Sequence, residues 1–122
     1  MLTLPDQITD AGLVYLKGLA RLEALSLPDQ ITDAGLVHLK GMTELYDLNL
    51  YGTKITDAGL VHLRGLTELL QLTLTSCPGI TDAGLVHIKG MAKLQSLDLP
   101  EQITDAGVSG LKESLPICEI EK

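Results

Sequence analysis

Two patterns of apolar and polar positions alternate along this chain. One is the phrase LxxLxL, spelled by Leu22, Leu25 and Leu27, by Leu45, Leu48 and Leu50, by Leu69, Leu72 and Leu74, and by Leu94, Leu97 and Leu99. Its last two leucines alternate with a polar residue, a period of two that predicts a short strand with leucine facing inward. Pro5, Pro28 and Pro100 directly follow the last leucine of their phrases. Proline has no donor for a strand ladder, so the strands should run about three to five residues.

The second pattern is the run ITDAGLVHLK from Ile31 to Lys40, with near copies from Ile8, Ile55 and Ile80 and an altered copy, ITDAGVSGLK, from Ile103. It predicts a helix of about two to three turns. Thr9, Thr32, Thr56, Thr81 and Thr104 are candidate caps that accept a backbone donor, and Asp10 and its equivalents put negative charge on the positive end of the helix dipole. Gly18, Gly41, Gly65 and Gly90 stand where a helix ends. Gly12, Gly35, Gly59, Gly84 and Gly107 lie inside it at a cost of about 1 kcal/mol each, and their recurrence points to close contact between neighbouring units.

The copies begin at Ile8, Ile31, Ile55, Ile80 and Ile103, giving spacings of 23, 24, 25 and 23 residues. In the first four, the distance from the opening Ile to the last Leu is constant at 19, as from Ile8 to Leu27 and from Ile80 to Leu99. All variation therefore falls in the loop that follows the strand. Constant units joined by variable loops are the mark of a solenoid, here one domain over residues 1–122 with five repeats. Strands that all run one way and return through helices form a parallel sheet with right-handed crossovers. Strands pack at about 4.8 Å and helices at about 8 to 10 Å, so the stack curves, with strands concave and helices convex.

These residues resemble the leucine-rich repeat family over essentially the whole chain. The resemblance implies an α/β solenoid, a horseshoe segment whose residue three places after the last Leu hydrogen-bonds neighbouring loops. Thr53 and Cys77 occupy that place. The run LTLTSCPGITDAGL from Leu72 resembles the cysteine-containing subclass found in F-box substrate receptors, and the ITDAGL units are similar to bacterial intracellular repeat proteins. Gln7, Gln30 and Gln102 stand in loops one residue short, where the loop ladder is expected to be interrupted. With no F-box segment in the chain, the resemblance implies no ubiquitin-ligase role.

Composition narrows the function. Phe and Trp are absent, and the net charge of −7 lacks the clustered Lys and Arg of nucleic-acid binders. Lys17, Lys40, Arg64 and Lys89 recur once per repeat, but each is matched by a recurring Asp. No run approaches the about 20 apolar residues of a membrane span, and MLTLPDQ lacks the regions of a secretory signal, so the expectation is a cytoplasmic protein. Cys77 and Cys118 fall about two strand spacings apart, too far for a disulfide. His38, His62 and His87 repeat one helical position as a surface column, too widely spaced to share a metal. No nucleophile triad, phosphate loop or HExxH occurs, and neither enzymatic activity nor a cofactor is expected.

What remains is recognition by outward strand positions. These are Ala24, Ser26 and Pro28, then Asp47, Asn49 and Tyr51, then Gln71, Thr73 and Thr75, then Ser96, Asp98 and Pro100. Tyr46, Tyr51 and Leu70 flank them as candidate anchors. The resulting expectation is a module that binds a protein or peptide through Tyr46, Asp47, Asn49, Tyr51, Leu70, Gln71, Thr73, Thr75, Ser96 and Asp98. The alternative is a structural segment of a longer array that stacks end to end. Leu115, Cys118 and Ile120 repeat the strand phrase with charges around them, as a closing strand would. At the opposite flank Ile8, Leu13 and Leu16 are expected to lie bare and to allow self-association through the first repeat.

Overall fold

The computed structural model describes residues 1–122. Six strands form one parallel sheet in chain order: β1 (Leu2–Thr3), β2 (Ala24–Ser26), β3 (Asp47–Asn49), β4 (Gln71–Thr73), β5 (Ser96–Asp98) and β6 (Glu119–Glu121). Each has two or three residues, at the short end of what the prolines and the phrase length imply. Register runs unbroken through Leu2, Leu25, Leu48, Leu72, Leu97 and Ile120. One inward leucine therefore stacks on the next through the whole solenoid. At the entry to the strands a single carbonyl serves two donors: Glu23 O accepts from Tyr46 N and Asp47 N, Tyr46 O from Leu70 N and Gln71 N, and Leu70 O from Gln95 N and Ser96 N. The leucine-rich repeat architecture, with a concave sheet and helical segments behind it, follows from this repetition.

The helical layer is thinner than the sequence pattern implies. Residues Asp10–Gly18, Val37–Leu39, Asp57–Leu63 and Asp82–His87 are 3₁₀ helix, and α1 (Asp33–Leu36) is a single α-turn. Only α2 (Asp105–Ser114) is an α-helix of several turns. A 3₁₀ helix is wound more tightly than an α-helix, so neighbouring repeats approach more closely than helix-on-helix packing permits.

Twenty-nine buried apolar residues form one continuous cluster, so no boundary divides the core. Leu13 is fully buried and Leu16 is 5% exposed. The expectation that both lie on a bare flank is thus overturned, because the tight helical turn aims them beneath the sheet toward the second repeat. Leu2, Leu4, Ile8 and Leu22 are half-buried against the core, and Met1, Val14 and Leu19 are exposed apolar residues of the first repeat. No helix is long and apolar enough to cross a membrane.

Candidate interaction surface

The rigidity of the face comes from a contact made four times. Asp10 accepts hydrogen bonds from the backbone N of Thr32, at 2.8 Å, and from its hydroxyl. Asp33 grips Thr56 and Asp57 grips Thr81 in the same way, each at 2.7 Å to the backbone N and 2.5 Å to Oγ1. Asp82 takes Thr104 N at 3.0 Å and the Thr104 hydroxyl. The recurring Asp therefore clasps the next repeat, where sequence reasoning assigns it to the dipole of its own helix. The Thr hydroxyl is chiefly a donor to that carboxylate. Its capping bonds are weaker or missing: 3.4 Å from Ala34 N to Thr32, 3.3 Å from Ala83 N to Thr81, 3.1 Å from Gly107 N to Thr104, and none at Thr9 or Thr56.

The inner glycine belongs to the same contact. A Cβ on Gly35, Gly59 or Gly84 would collide with the carboxylate of Asp10, Asp33 or Asp57, and one on Gly107 would lie 2.7 Å from Asp82 Oδ1. The close approach inferred from the recurrent glycines is real, but the preceding repeat contributes an Asp side chain to it.

Loops at the far ends of the strands are tied as well. Thr53 Oγ1 donates to Leu50 O at 2.9 Å, and Cys77 Sγ donates to the same carbonyl at 3.0 Å. Gln30 Nε2 reaches Asp6 O at 3.2 Å, while Gln102 Nε2 reaches both Cys77 O and Ile80 O at 2.8 Å. The ladder expected to break at Gln30 and Gln102 instead continues, because the long amide side chain spans what the shorter loop leaves open. Cys77 and Cys118 are both free thiols. Burial pushes each thiol up from its ordinary value; bonds from Thr53 partly offset this at Cys77, and Glu119 adds to it at Cys118. Neither is a ready nucleophile.

On this frame the outward side chains form two ordered rows. Ala24, Asp47, Gln71, Ser96 and Glu119 are register partners in one, and Thr3, Ser26, Asn49, Thr73, Asp98 and Glu121 in the other. Gln71 is exposed and Asp47, Asn49, Thr73, Thr75, Ser96 and Asp98 are half-buried. Burial raises the Asp47 carboxyl above its ordinary value, with the chain's amino terminus opposing the effect. Asn49 Oδ1 accepts from Tyr51 N at 2.9 Å and fixes the turn that carries this tyrosine. Pro28 and Pro100, expected to face outward, are buried because the chain turns into the loop there.

The two tyrosines do not meet. Tyr51, 55% exposed, stands at the carboxyl end of β3, and Tyr46, 40% exposed, at its amino end. Tyr46 and Leu70 instead share a shallow groove of ≈ 430 Å³ with Glu23, Glu44 and Glu68. At the opposite edge the long loop after β4 stands beside the short loop after β5. A cleft of ≈ 440 Å³ opens between them, lined by Thr75, Ser76, Pro78, Leu99, Glu101, Gln102 and Lys122. Sequence reasoning missed both hollows, although the difference in loop length was the signal for the second.

The histidine column is half-buried, and the Nδ1 atoms of His62 and His87 lie inside without a hydrogen-bond partner. His, Cys, Asp and Glu side chains nowhere form a group able to hold a metal ion.

Two solved structures from Listeria monocytogenes share the architecture. Internalin C2 matches with a TM-score of 0.69 and 29% identity over 88% of this chain and 44% of its own. Internalin InlF matches with a TM-score of 0.56 and 22% identity over 88% of this chain and 36% of its own. The chain therefore spans less than half the length of either. No family model and no curated protein matches it.

Proposed function

We propose that this chain is a recognition module that binds a protein or peptide across its concave sheet. The observation that carries the reading is the contrast between the two sides of each strand. The inward position is Leu25, Leu48, Leu72 and Leu97, whereas its outward neighbours change from Ala24 to Asp47, Gln71 and Ser96, and from Ser26 to Asn49, Thr73 and Asp98. The scaffold is repeated and the surface is individual. Repeat solenoids use concave surfaces of this kind for binding.

Tyr46, Asp47, Asn49, Tyr51, Leu70, Gln71, Thr73, Thr75, Ser96 and Asp98 form the contact surface in this reading, with the tyrosines as anchors. The segment LTSCPGITDAGL supports a finer kinship with cysteine-containing repeats, since Cys77 bonds Leu50 O as a ladder residue does. The test is capture of partner proteins on immobilised wild type and on three variants. Tyr46→Ala and Tyr51→Ala should each weaken binding by about 1 to 3 kcal/mol, and Lys40→Glu on the convex side should not. Equal capture by wild type and both tyrosine variants would remove the concave face from consideration.

A further inference from the structure

The charges on the sheet face are all of one sign. The two outward rows contain Asp47, Asp98, Glu119 and Glu121 and no Lys, Arg or His. The basic residues Lys17, Lys40, Arg64, Lys89 and Lys112 lie on or just after the helical segments instead, all of them exposed. Asp98 and Glu121 are direct register partners on adjacent strands, about 4.8 Å apart by strand spacing. Like charges directly opposite each other in a sheet are destabilising. Neither carboxylate has a salt-bridge partner: Lys122, next to Glu121, turns its Nζ away to Ile103 O and Asp105, and the other ion pair is Lys93 with Glu68. The protein therefore carries an unrelieved repulsion on the face that has no covering element.

The rest of the face fits the same occupant. Gln71, Thr73, Ser96 and Asn49 lie between the acids as neutral hydrogen-bonding groups, suited to a peptide backbone. Tyr46 and Leu70 offer apolar surface beside Glu23 and Glu44, a setting for the aliphatic stem and charged head of a long cationic side chain, while Glu68 in the same groove is already paired with Lys93.

Resting on the concave-face reading above, we propose that the occupant is an extended segment of a partner protein bearing arginine or lysine. An arginine guanidinium, with its planar fork of donors, matches the paired carboxylates of Asp98 and Glu121. Asp47 and Asp98 stand two strands and two residues apart, which is about 12 Å from the strand spacing and rise. An extended chain covers that in three to four residues at about 3.3 Å each, so the cationic side chains that engage the two sites are spaced accordingly.

The probe is a displayed library of random twelve-residue peptides, selected on the intact chain and then synthesised. Selected peptides should be enriched in Arg or Lys and should lose affinity as salt is raised. The double variant Asp98→Asn/Glu121→Gln should bind them roughly fivefold to thirtyfold more weakly while its melting temperature holds or rises, since it removes a repulsion. Peptides without cationic enrichment that are still lost on Tyr51→Ala would overturn the cationic partner and leave the concave surface standing. Peptides that bind the double variant and the tyrosine variants as tightly as the parent would overturn both. Selection that yields no binder counts against the proposal.

Discussion

The Asp33 carboxylate holds Thr56 by both oxygens, one 2.7 Å from the backbone N and the other 2.5 Å from the hydroxyl, and occupies the space a Cβ on Gly59 would need. Three residues of the repeated phrase thus serve one joint. Thr and Gly of each unit receive the Asp of the unit before, which explains why the three recur together and why the helical layer is thin. The fixed geometry of the joint keeps the strands in register and so fixes the spacing of the outward rows.

Gly59→Ala separates two effects of opposite sign. Helix propensity alone would make alanine more stable by about 1 kcal/mol. The collision with Asp33 is an overpacking effect of about 1 to 3 kcal/mol in the other direction. Urea unfolding should therefore show a net loss. Asp33→Ala should also destabilise, by about 1 to 3 kcal/mol through its lost hydrogen bonds. The double variant should be less damaged than the sum of the two, because removing the carboxylate makes room for the methyl group. Strict additivity would mean that Gly59 and Asp33 do not share a joint.

The same joint predicts acid sensitivity. The Thr104 hydroxyl, then its backbone N, hold the Asp82 carboxyl below its ordinary value of 3.8, with Lys122 adding a smaller effect in the same direction against slight desolvation. A carboxyl lowered by folding contributes stability above its unfolded value, and this stability is lost as pH falls through the folded value. Asp47, raised by burial, acts in the opposite sense: its contribution is present below the unfolded value and lost as pH rises through the folded one. Unfolding free energy of the parent should fall on acidification below about pH 4. Asp82→Asn should flatten that fall, whereas Asp47→Asn should raise stability at neutral pH. Identical pH profiles for the parent and Asp82→Asn would refute the assignment.

Much of this fold is legible in the chain because the leucine spacing states both the period and the inward face. Register, strand order and the unpaired cysteines follow from spacing alone. The 3₁₀ winding of the helical segments and the partners of polar groups do not. Asp10 and its equivalents fit a dipole role within one unit, and only the distance to the next unit shows that Thr32 lies within reach. Order in the chain places Leu13 and Leu16 on a bare flank, but they lie in the core as their equivalents Leu36 and Leu39 do, so the first unit buries its own leucines without an upstream neighbour. Gln30 and Gln102 are in shortened loops, and the reach of an amide side chain decides whether a ladder survives there. Alternation identifies the outward positions and places Tyr46 and Tyr51 on either side of β3, whereas the groove that joins Tyr46 to Leu70 required coordinates.

Ser76 adopts φ 61° in the turn after β4, where the matching turn after β3 has Gly52 at φ 71°. This left-handed backbone costs an L-residue about 1 to 2 kcal/mol, whereas glycine accepts it at the expense of greater freedom when unfolded. Ser76→Gly should therefore raise stability by about 0.5 to 1 kcal/mol, and Gly52→Ser should lower it by a similar or larger amount. Chemical denaturation of the pair checks the sign. Opposite results would place the turn strain elsewhere.

Lys122 makes the last prediction. Its Nζ donates to Ile103 O at 2.6 Å and pairs with Asp105 at 3.1 Å. In the second repeat both acceptors are served by the next unit: Ile31 O accepts from Lys54 N, and Asp33, the counterpart of Asp105, holds Thr56. One flexible ammonium therefore satisfies, after the fifth copy, the two groups that a following loop satisfies elsewhere. Asp105 is almost fully exposed, so the ion pair itself adds little, and the weight falls on the partly buried Ile103 carbonyl. Lys122→Met should lower stability by about 0.5 to 1.5 kcal/mol and expose the fifth repeat first. Hydrogen exchange resolves this: amides of α2 and β6 should lose protection while those of β2 to β4 keep theirs. Unchanged exchange throughout α2 and β6 would show that the Lys122 contacts hold neither element.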